Sequence, residues 1–323
     1  MSPTRPVVYY AYAASERARF ETADANWTII PKSAEAPVWL PPTGADVIIA
    51  SLAAWAGAPA EPPPGWPFDL RYIQFTSAGV DTLPVWARGG LSIASARGVT
   101  AEPIADYVMA AILADAKRLP VLADLAREAP QDAFDEQRWP AGTIRPLKGR
   151  TVGLLGYGAI GQAIARRAEA FGMRVVAQRR SAPDASGRFV ANIEALLAQS
   201  DHLVLCAPAT AETRHILNDR TLRSMKPDAH LINVARGGLI DHDTLVRALR
   251  AGHLRRATLD VTEPEPLPPD HPLWAEDNVL ITPHAAWYSP DHFDRVTTKV
   301  LANLQRYAAG KALEDLADFK RGY

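Results

Sequence analysis

The run Thr151-Val152-Gly153-Leu154-Leu155-Gly156-Tyr157-Gly158-Ala159-Ile160-Gly161 has the residue types and spacing to hold a pyrophosphate. Gly156 allows a tight turn, Gly158 lets a phosphate approach the backbone, and Gly161 lets helix and strand pack closely. The free N–H groups and dipole of the helix start favour negative charge. Alone, G-x-G-x-x-G is a weak signal, since glycines cluster in ordinary turns. Its setting points to a dinucleotide: an apolar run leads in, and Ile160, Ile164 and Ala168 follow at four-residue spacing. A carboxylate at the end of the next strand, about 20 residues on, would bind a ribose 2′-hydroxyl and select NAD. Here that strand ends Gln178-Arg179-Arg180-Ser181, with no acid. Two guanidinium groups and a hydroxyl suit a 2′-phosphate, so NADP(H) is favoured over NAD(H). A solvated basic strand end is the plainer alternative.

Three later stretches could also carry chemistry. Asn233-Val234-Ala235-Arg236-Gly237-Gly238 sets an arginine after a strand candidate, and Leu259-Asp260-Val261-Thr262-Glu263-Pro264-Glu265-Pro266 sets carboxylates after the next. Thr282-Pro283-His284-Ala285-Ala286-Trp287 ends a third with a histidine. Singly, a surface arginine, an acidic turn and a hydrogen-bonded core histidine would explain them. Their shared position at successive strand ends, where α/β sheets bind ligands, favours a common site. No metal is expected there.

The elements that must position these residues follow from apolar runs and their breaks. Val7–Tyr10, Asp46–Ala50, Arg71–Phe75 and Ser92–Ser95 read as strands, with a helical stretch near Ser15–Phe20 and a proline-rich surface loop from Pro59 to Pro67. A long helix starts at Ala101, with Ile104, Val108, Ala111, Ile112 and Leu119 as its apolar stripe; it could bridge two domains or pack against a second subunit, and an intradomain core place is about equally open. Pro130 to Pro146 lacks a clean period and reads as an irregular arm. Strands then recur at Met173–Ala177, His202–Cys206, His230–Ala235, Ala257–Val261 and Val279–Thr282, with a helix near Asp243–Ala251 closed by Gly252. The expected fold is α/β in two domains. A Rossmann-type doubly wound domain spans 100–289, and a smaller flavodoxin-like substrate domain takes 1–99 and 290–323. The last helix, carrying Phe293, Val296, Val300, Leu304 and Tyr307, returns to the smaller domain.

Thirty-five basic against 36 acidic side chains give a net charge of −1, which argues for neither nucleic acid nor an anionic membrane as partner. The single cysteine, Cys206, excludes an internal disulfide and sits in an apolar run, as a buried core thiol would. With no targeting or membrane-spanning stretch, a cytoplasmic location is expected.

Together these stretches resemble the D-isomer-specific 2-hydroxyacid dehydrogenases, most strongly from Thr151 to Pro290. The loop Phe75-Thr76-Ser77-Ala78-Gly79-Val80-Asp81, the helix start Ala96-Arg97-Gly98-Val99-Thr100-Ala101-Glu102-Pro103, and the ending from Asn303-Leu304 to Arg321-Gly322-Tyr323 share the likeness. The resemblance implies hydride exchange between a nicotinamide and C2 of a small 2-oxo or 2-hydroxy acid. It implies that Arg236 binds the substrate carboxylate and polarises the carbonyl, a task suited to a planar guanidinium. His284 would be the general acid in reduction and the base in oxidation. Glu265, rather than Glu263, would be its carboxylate partner and fix its orientation. Backbone N–H groups around Ser77-Ala78-Gly79 would hold the substrate carboxylate from the opposite domain. Asp260 would lie near the nicotinamide carboxamide, while Thr100, Cys206-Ala207-Pro208, Thr213 and Ala235 would line the cofactor groove. A homodimer built around the helix after Ala101 is also implied.

Some residues depart from the family pattern. Many members have glycines after the histidine, where this chain has Trp287 and Tyr288; a large indole would narrow the pocket or wall it with apolar surface. His284-Ala285-Ala286-Trp287-Tyr288-Ser289 resembles a subgroup that includes the C-terminal-binding-protein corepressors, so a non-catalytic dinucleotide sensor is one rival. Those proteins use an acid where this chain has Arg179-Arg180. Phosphite-oxidising relatives carry a lysine at the position of Ala78, which disfavours that reaction, and no regulatory domain is expected after residue 323. The leading expectation is an NADPH-preferring reductase of the glyoxylate or hydroxypyruvate kind. An NAD-linked dehydrogenase working oxidatively is the other rival.

Overall fold

The computed structural model describes residues 5–23, 26–128, 135, 139, 144–180 and 187–319. Two compact units divide the chain: Met1–Thr100 with Ser289–Tyr323, and Ala101–Tyr288. In the first, β1 (Val7–Ala11), α1 (Arg17–Ala23), β2 (Thr28–Pro31), β3 (Val47–Ala50), β4 (Tyr72–Phe75) and β5 (Ser92–Ala94) follow in order. The strands pair in parallel in the order β2-β1-β3-β4-β5, the flavodoxin-like arrangement. β3 and β4 are buried along their whole length, so their runs are continuous rather than alternating. Strand β2 has no counterpart among the sequence-based strands. It is an edge strand with exposed ends and only Ile29 and Ile30 half-buried, so its apolar signal is two residues long. The Pro59–Pro67 span holds no strand or helix, although Trp66 turns onto Trp86 with ring centroids 4.8 Å apart.

The second unit contains α2 (Ala101–Lys117), α3 (Leu119–Glu128), β6 (Thr151–Leu155), α4 (Ala159–Ala170), β7 (Arg174–Gln178), α5 (Ile193–Gln199) and β8 (His202–Leu205). It continues through α6 (Asp219–Leu222), β9 (His230–Asn233), α7 (His242–Arg250), β10 (Arg256–Leu259) and β11 (Val279–Ile281). All pairings are parallel, in the order β7-β6-β8-β9-β10-β11. The order reverses between β6 and β8, and the glycine loop leaves β6 at this switch point, where α/β sheets bind ligands. Most of the expected arm at 130–146 lies outside the described residues.

Helix α2 belongs to the core of its own unit: Ile104, Val108 and Ile112 pack in one cluster with Val152, Leu154, Ile164 and Ala168. Leu119 is not on its stripe, contrary to the periodicity. The backbone turns at Arg118, whose φ is +43°, and Leu119 opens α3 with 67% of its surface exposed. Back in the first unit, α8 (His292–Ala308) buries Val296, Val300 and Leu304 beside Val47, Ile49 and Tyr72. Each such side chain contributes about 1.5–3 kcal/mol. Asn303 Nδ2 adds a 2.9 Å hydrogen bond to the buried Gln74 Oε1. Phe293, counted on the same face, is 41% exposed.

At the N-terminal edge of the second sheet, Asp115, His202 and His230 form a buried polar cluster. Arg255 grips both oxygens of Asp115, at 2.7 and 2.6 Å, so two lone pairs are already used and a guanidinium stands where a cation would be repelled. Burial pushes His202 down to about 4 and His230 to about 3, partly offset by Asp115. Both rings are therefore neutral in the fold. Their contribution to stability is full above the ordinary value of 6.5 and is lost as pH falls from there toward 4. At roughly 1.4 kcal/mol per pH unit, His202 alone accounts for a loss on the order of 3 kcal/mol across that window. Melting temperatures should fall steeply in this range. The double variant His202→Leu/His230→Leu should flatten the fall; an unchanged acid limb would show that other groups govern it.

Candidate active site

Strands β9, β10 and β11 lie side by side, with Asn233 opposite Leu259 and Leu259 opposite Ile281. This register brings the segments carrying Arg236, Asp260–Glu265 and His284 to one edge of the sheet. There His284 Nδ1 and Glu265 Oε1 are 2.6 Å apart, with side chains 41% and 42% exposed. In that contact the ring N–H donates to the carboxylate, which fixes the tautomer and leaves Nε2 to exchange a proton. Among the described residues Nε2 has no protein partner. The two neighbouring acids have separate employment. Glu263 accepts from Arg214 at 2.8 Å and faces His215 at 3.5 Å, and the Arg214 hydrogen bond holds its carboxyl below the usual range.

The loop carrying His284 is built on a buried carboxylate. Asp260, 3% exposed, accepts from the Thr282 hydroxyl at 2.6 Å, Ala285 N at 2.8 Å and Ala286 N at 3.0 Å. His284 N–H donates back to Asp260 O and Thr282 O, while its own φ is +53°. Asp260 thus spends its oxygens on the shape of the histidine loop. Behind it, Tyr107 Oη lies 2.6 Å from Thr282 Oγ1. Neither Tyr107 nor Thr282 stands out in the sequence, because their meeting depends on how α2 crosses the end of β11.

Arg236 follows β9 in extended conformation, and its Nη1 donates to Ala235 O at 2.8 Å. The turn is stapled by the fully buried Asn233, whose Nδ2 donates to Arg236 O and whose Oδ1 accepts from Ala235 N. Gly237 follows, and a Cβ there would lie 2.0 Å from the carbonyl carbon of Thr262. The arginine turn and the acidic loop therefore touch backbone to backbone. Trp287 packs partly against the core of this unit and meets the 61%-exposed Tyr288 edge-on. Ser77, Ala78 and Gly79 lie half-buried after β4 in the first unit, with Ser77 O accepting from Ala96 N at 2.9 Å. The N–H groups of Ala78 and Gly79 meet no protein acceptor among the described residues.

The glycine loop fits a dinucleotide sterically. Gly156 has φ +103° and passes so close to Cys206 and Ala207 that a Cβ would meet their backbone at 2.8 Å. Gly161 packs on Gly156 O in the same way, but Gly158 faces open space, as a cradle for phosphate would. Among the described residues no side chain caps α4 and the N–H groups of Ala159, Ile160 and Gly161 meet no acceptor at its start. Tyr157 packs edge-on against Phe189 at 5.2 Å, and the Arg179 guanidinium lies over the same Phe189 ring, 3.8 Å from its centroid. Arg180 meets the exposed Glu212 at 3.2 Å. Ser181 lies outside the described residues. The Cys206 thiol donates to Gly156 O at 3.1 Å, and burial pushes it up to about 12, so it is a neutral packing group. Ala207 and Pro208 continue from it, and Thr213 Oγ1 ties the turn by donating to Pro208 O at 2.8 Å. Ala235 lies at the Arg236 turn, and Thr100 ends the first stretch of the other unit.

A switch-point glycine loop and a strand-edge imidazole–carboxylate pair define a nucleotide-dependent oxidoreductase of Rossmann type. Residues 110–286 match the family described as D-isomer specific 2-hydroxyacid dehydrogenase, NAD binding domain. A glyoxylate reductase of Aeropyrum pernix is 35% identical over 256 residues, covering 77% of this chain and 76% of that protein. A D-isomer specific 2-hydroxyacid dehydrogenase from Xanthobacter autotrophicus Py2, solved with NADPH and MES, superposes with TM-score 0.79 at 27% identity over 99% of this chain and all of that one. An NADPH-dependent glyoxylate/hydroxypyruvate reductase from Sinorhizobium meliloti, solved with NADP and malonate, gives 0.77 at 26% identity over 98% of each. The chain belongs to the D-isomer specific 2-hydroxyacid dehydrogenases and is an enzyme that uses a nicotinamide cofactor.

Proposed function

We propose that this dehydrogenase reduces a small 2-oxo acid of the glyoxylate or hydroxypyruvate kind, with NADPH preferred over NADH. The 2.6 Å His284–Glu265 pair carries the catalytic part. The nicotinamide, when bound, supplies the hydride that reduces C2. Arg236 pairs with the substrate carboxylate and draws charge onto the carbonyl oxygen. His284 Nε2 delivers a proton to that oxygen, while Glu265 holds the ring in register. In the oxidative direction the same nitrogen takes the proton from the hydroxyl. Ala78 and Gly79 offer amide donors suited to a carboxylate, which supports a substrate-binding role for the first unit and a dinucleotide-binding role for the second. The indole of Trp287 would present apolar surface to the substrate side chain. A homodimer around α2, to be tested by sedimentation, completes the reading.

The cofactor preference is supported by the strand end after β7, which offers Arg179 and Arg180 and no acid. The exposed Arg180–Glu212 pair is worth little and yields readily to a phosphate. The test is a panel of 2-oxo acids with both cofactors, repeated on Arg179→Asp. Losing a charge-assisted contact of about 1.5–3 kcal/mol should move the NADPH/NADH ratio of kcat/KM by roughly ten- to a hundredfold toward NADH. An unmoved ratio would leave the arginines as solvated charges. No oxidation of either cofactor with any acid would favour the non-catalytic sensor instead.

A further inference from the structure

We propose that Tyr107, on α2, is a positioning residue for His284, acting through the Thr282 hydroxyl and the buried Asp260 carboxylate. The inference rests on the catalytic reading of His284 given above. The donors are ordered along one line. The Thr282 hydroxyl gives its only proton to Asp260 Oδ1 at 2.6 Å, so the 2.6 Å contact with Tyr107 requires the tyrosine to be the donor. Asp260 then accepts two successive amides, Ala285 N and Ala286 N, which frame the residue after the histidine. His284 itself sits in the left-handed region at φ +53°, a conformation held by its N–H bonds to Asp260 O and Thr282 O. Burial raises the Tyr107 phenol above its ordinary value, so it stays a donor throughout the working pH range.

This chain of contacts gives the Tyr107 hydroxyl of α2 a defined partner. Its hydroxyl reaches the end of β11 and completes the partners of Thr282, whose oxygen would otherwise lack a donor. The helix thereby sets where the imidazole stands, without itself touching any reacting group.

Steady-state kinetics of Tyr107→Phe, Thr282→Val and their combination test the proposal on the full-length protein. Each single variant should lower kcat about tenfold, the value of one buried hydrogen bond left half-made, with KM for the cofactor unchanged. The double variant should lose no more than Thr282→Val alone, because both break the same line. Thr282→Ser should recover most of the rate. A kcat unaltered by Tyr107→Phe, or losses that multiply in the double variant, would overturn the proposal. So would a drop in melting temperature with kcat intact, which marks a merely structural tyrosine. His284→Ala serves as the reference arm: if it turns over normally, the site reading fails as a whole, which is a different result from an inert Tyr107→Phe beside an inactive His284→Ala.

Discussion

His284→Ala should lose about 10²–10⁴-fold in kcat while still binding the dinucleotide, the share of the rate that the proposed general acid would supply. The geometry separates chemistry from folding. The loop is held by backbone bonds from His284, Ala285 and Ala286 to Asp260 and Thr282, none of which uses the imidazole. Among the described residues the ring's hydrogen-bonding contact is the exposed 2.6 Å pair with Glu265, and such pairs add little to stability. One complication lies in the backbone, because φ +53° is strained for alanine by roughly 1–2 kcal/mol. Asparagine visits that region readily, so His284→Asn removes the imidazole without the strain. Both variants should show the same kcat, with His284→Ala melting lower. Glu265→Gln should fall between them and the parent enzyme, as it keeps a hydrogen-bond acceptor but not the charge. Retained turnover in His284→Asn would reassign the proton to another group, whatever the melting curves show.

Much of this arrangement was legible because the second unit advertises itself in one dimension. Each parallel strand is an apolar run closed by a glycine, a proline or a charged turn, so β6 to β11 could be placed within a residue or two. What lies at their ends was readable only as types: an arginine, acids, a histidine. Choosing between Glu263 and Glu265 needed the family resemblance, and the structure gives the physical ground, since Glu263 is already held by Arg214. Asp260 also anchors the histidine loop, a role invisible in the sequence because it depends on register between β10 and β11. Leu119 fits the helical period of α2 perfectly well as a pattern. It fails because period reports nothing of a backbone reversal at Arg118. Strand β2 was hidden for the opposite reason: pairing with β1 gives it structure that its own two isoleucines do not announce.

Gly237→Ala should be as damaging as removal of a catalytic group, although glycine has no side chain to take part in chemistry. An added Cβ would stand 2.0 Å from Thr262 C, 2.1 Å from Thr262 O and 2.4 Å from Glu263 N. All three are backbone atoms, so no rotamer change relieves the overlap; the two loops must separate. One of them begins at Arg236, and the other runs on to Glu265, the partner of His284. Overpacking of this kind costs about 1–3 kcal/mol and occasionally more. For a unit of this size that is a melting shift of roughly 2–4 °C per kcal/mol. The kinetic cost should be larger, since a displacement of about 1 Å between reacting groups can cost 10²-fold. Gly238→Ala is the matched control. Its Cβ would meet only the tips of Glu263 and Arg214 side chains, at 3.1 and 3.2 Å, and those can swing aside. Near-parent kinetics for Gly238→Ala beside a collapse for Gly237→Ala would show that catalysis depends on backbone contact between the arginine turn and the acidic loop. Equal, small effects from both would mean that the acidic loop gives way freely and that Arg236 and Glu265 do not need a fixed separation.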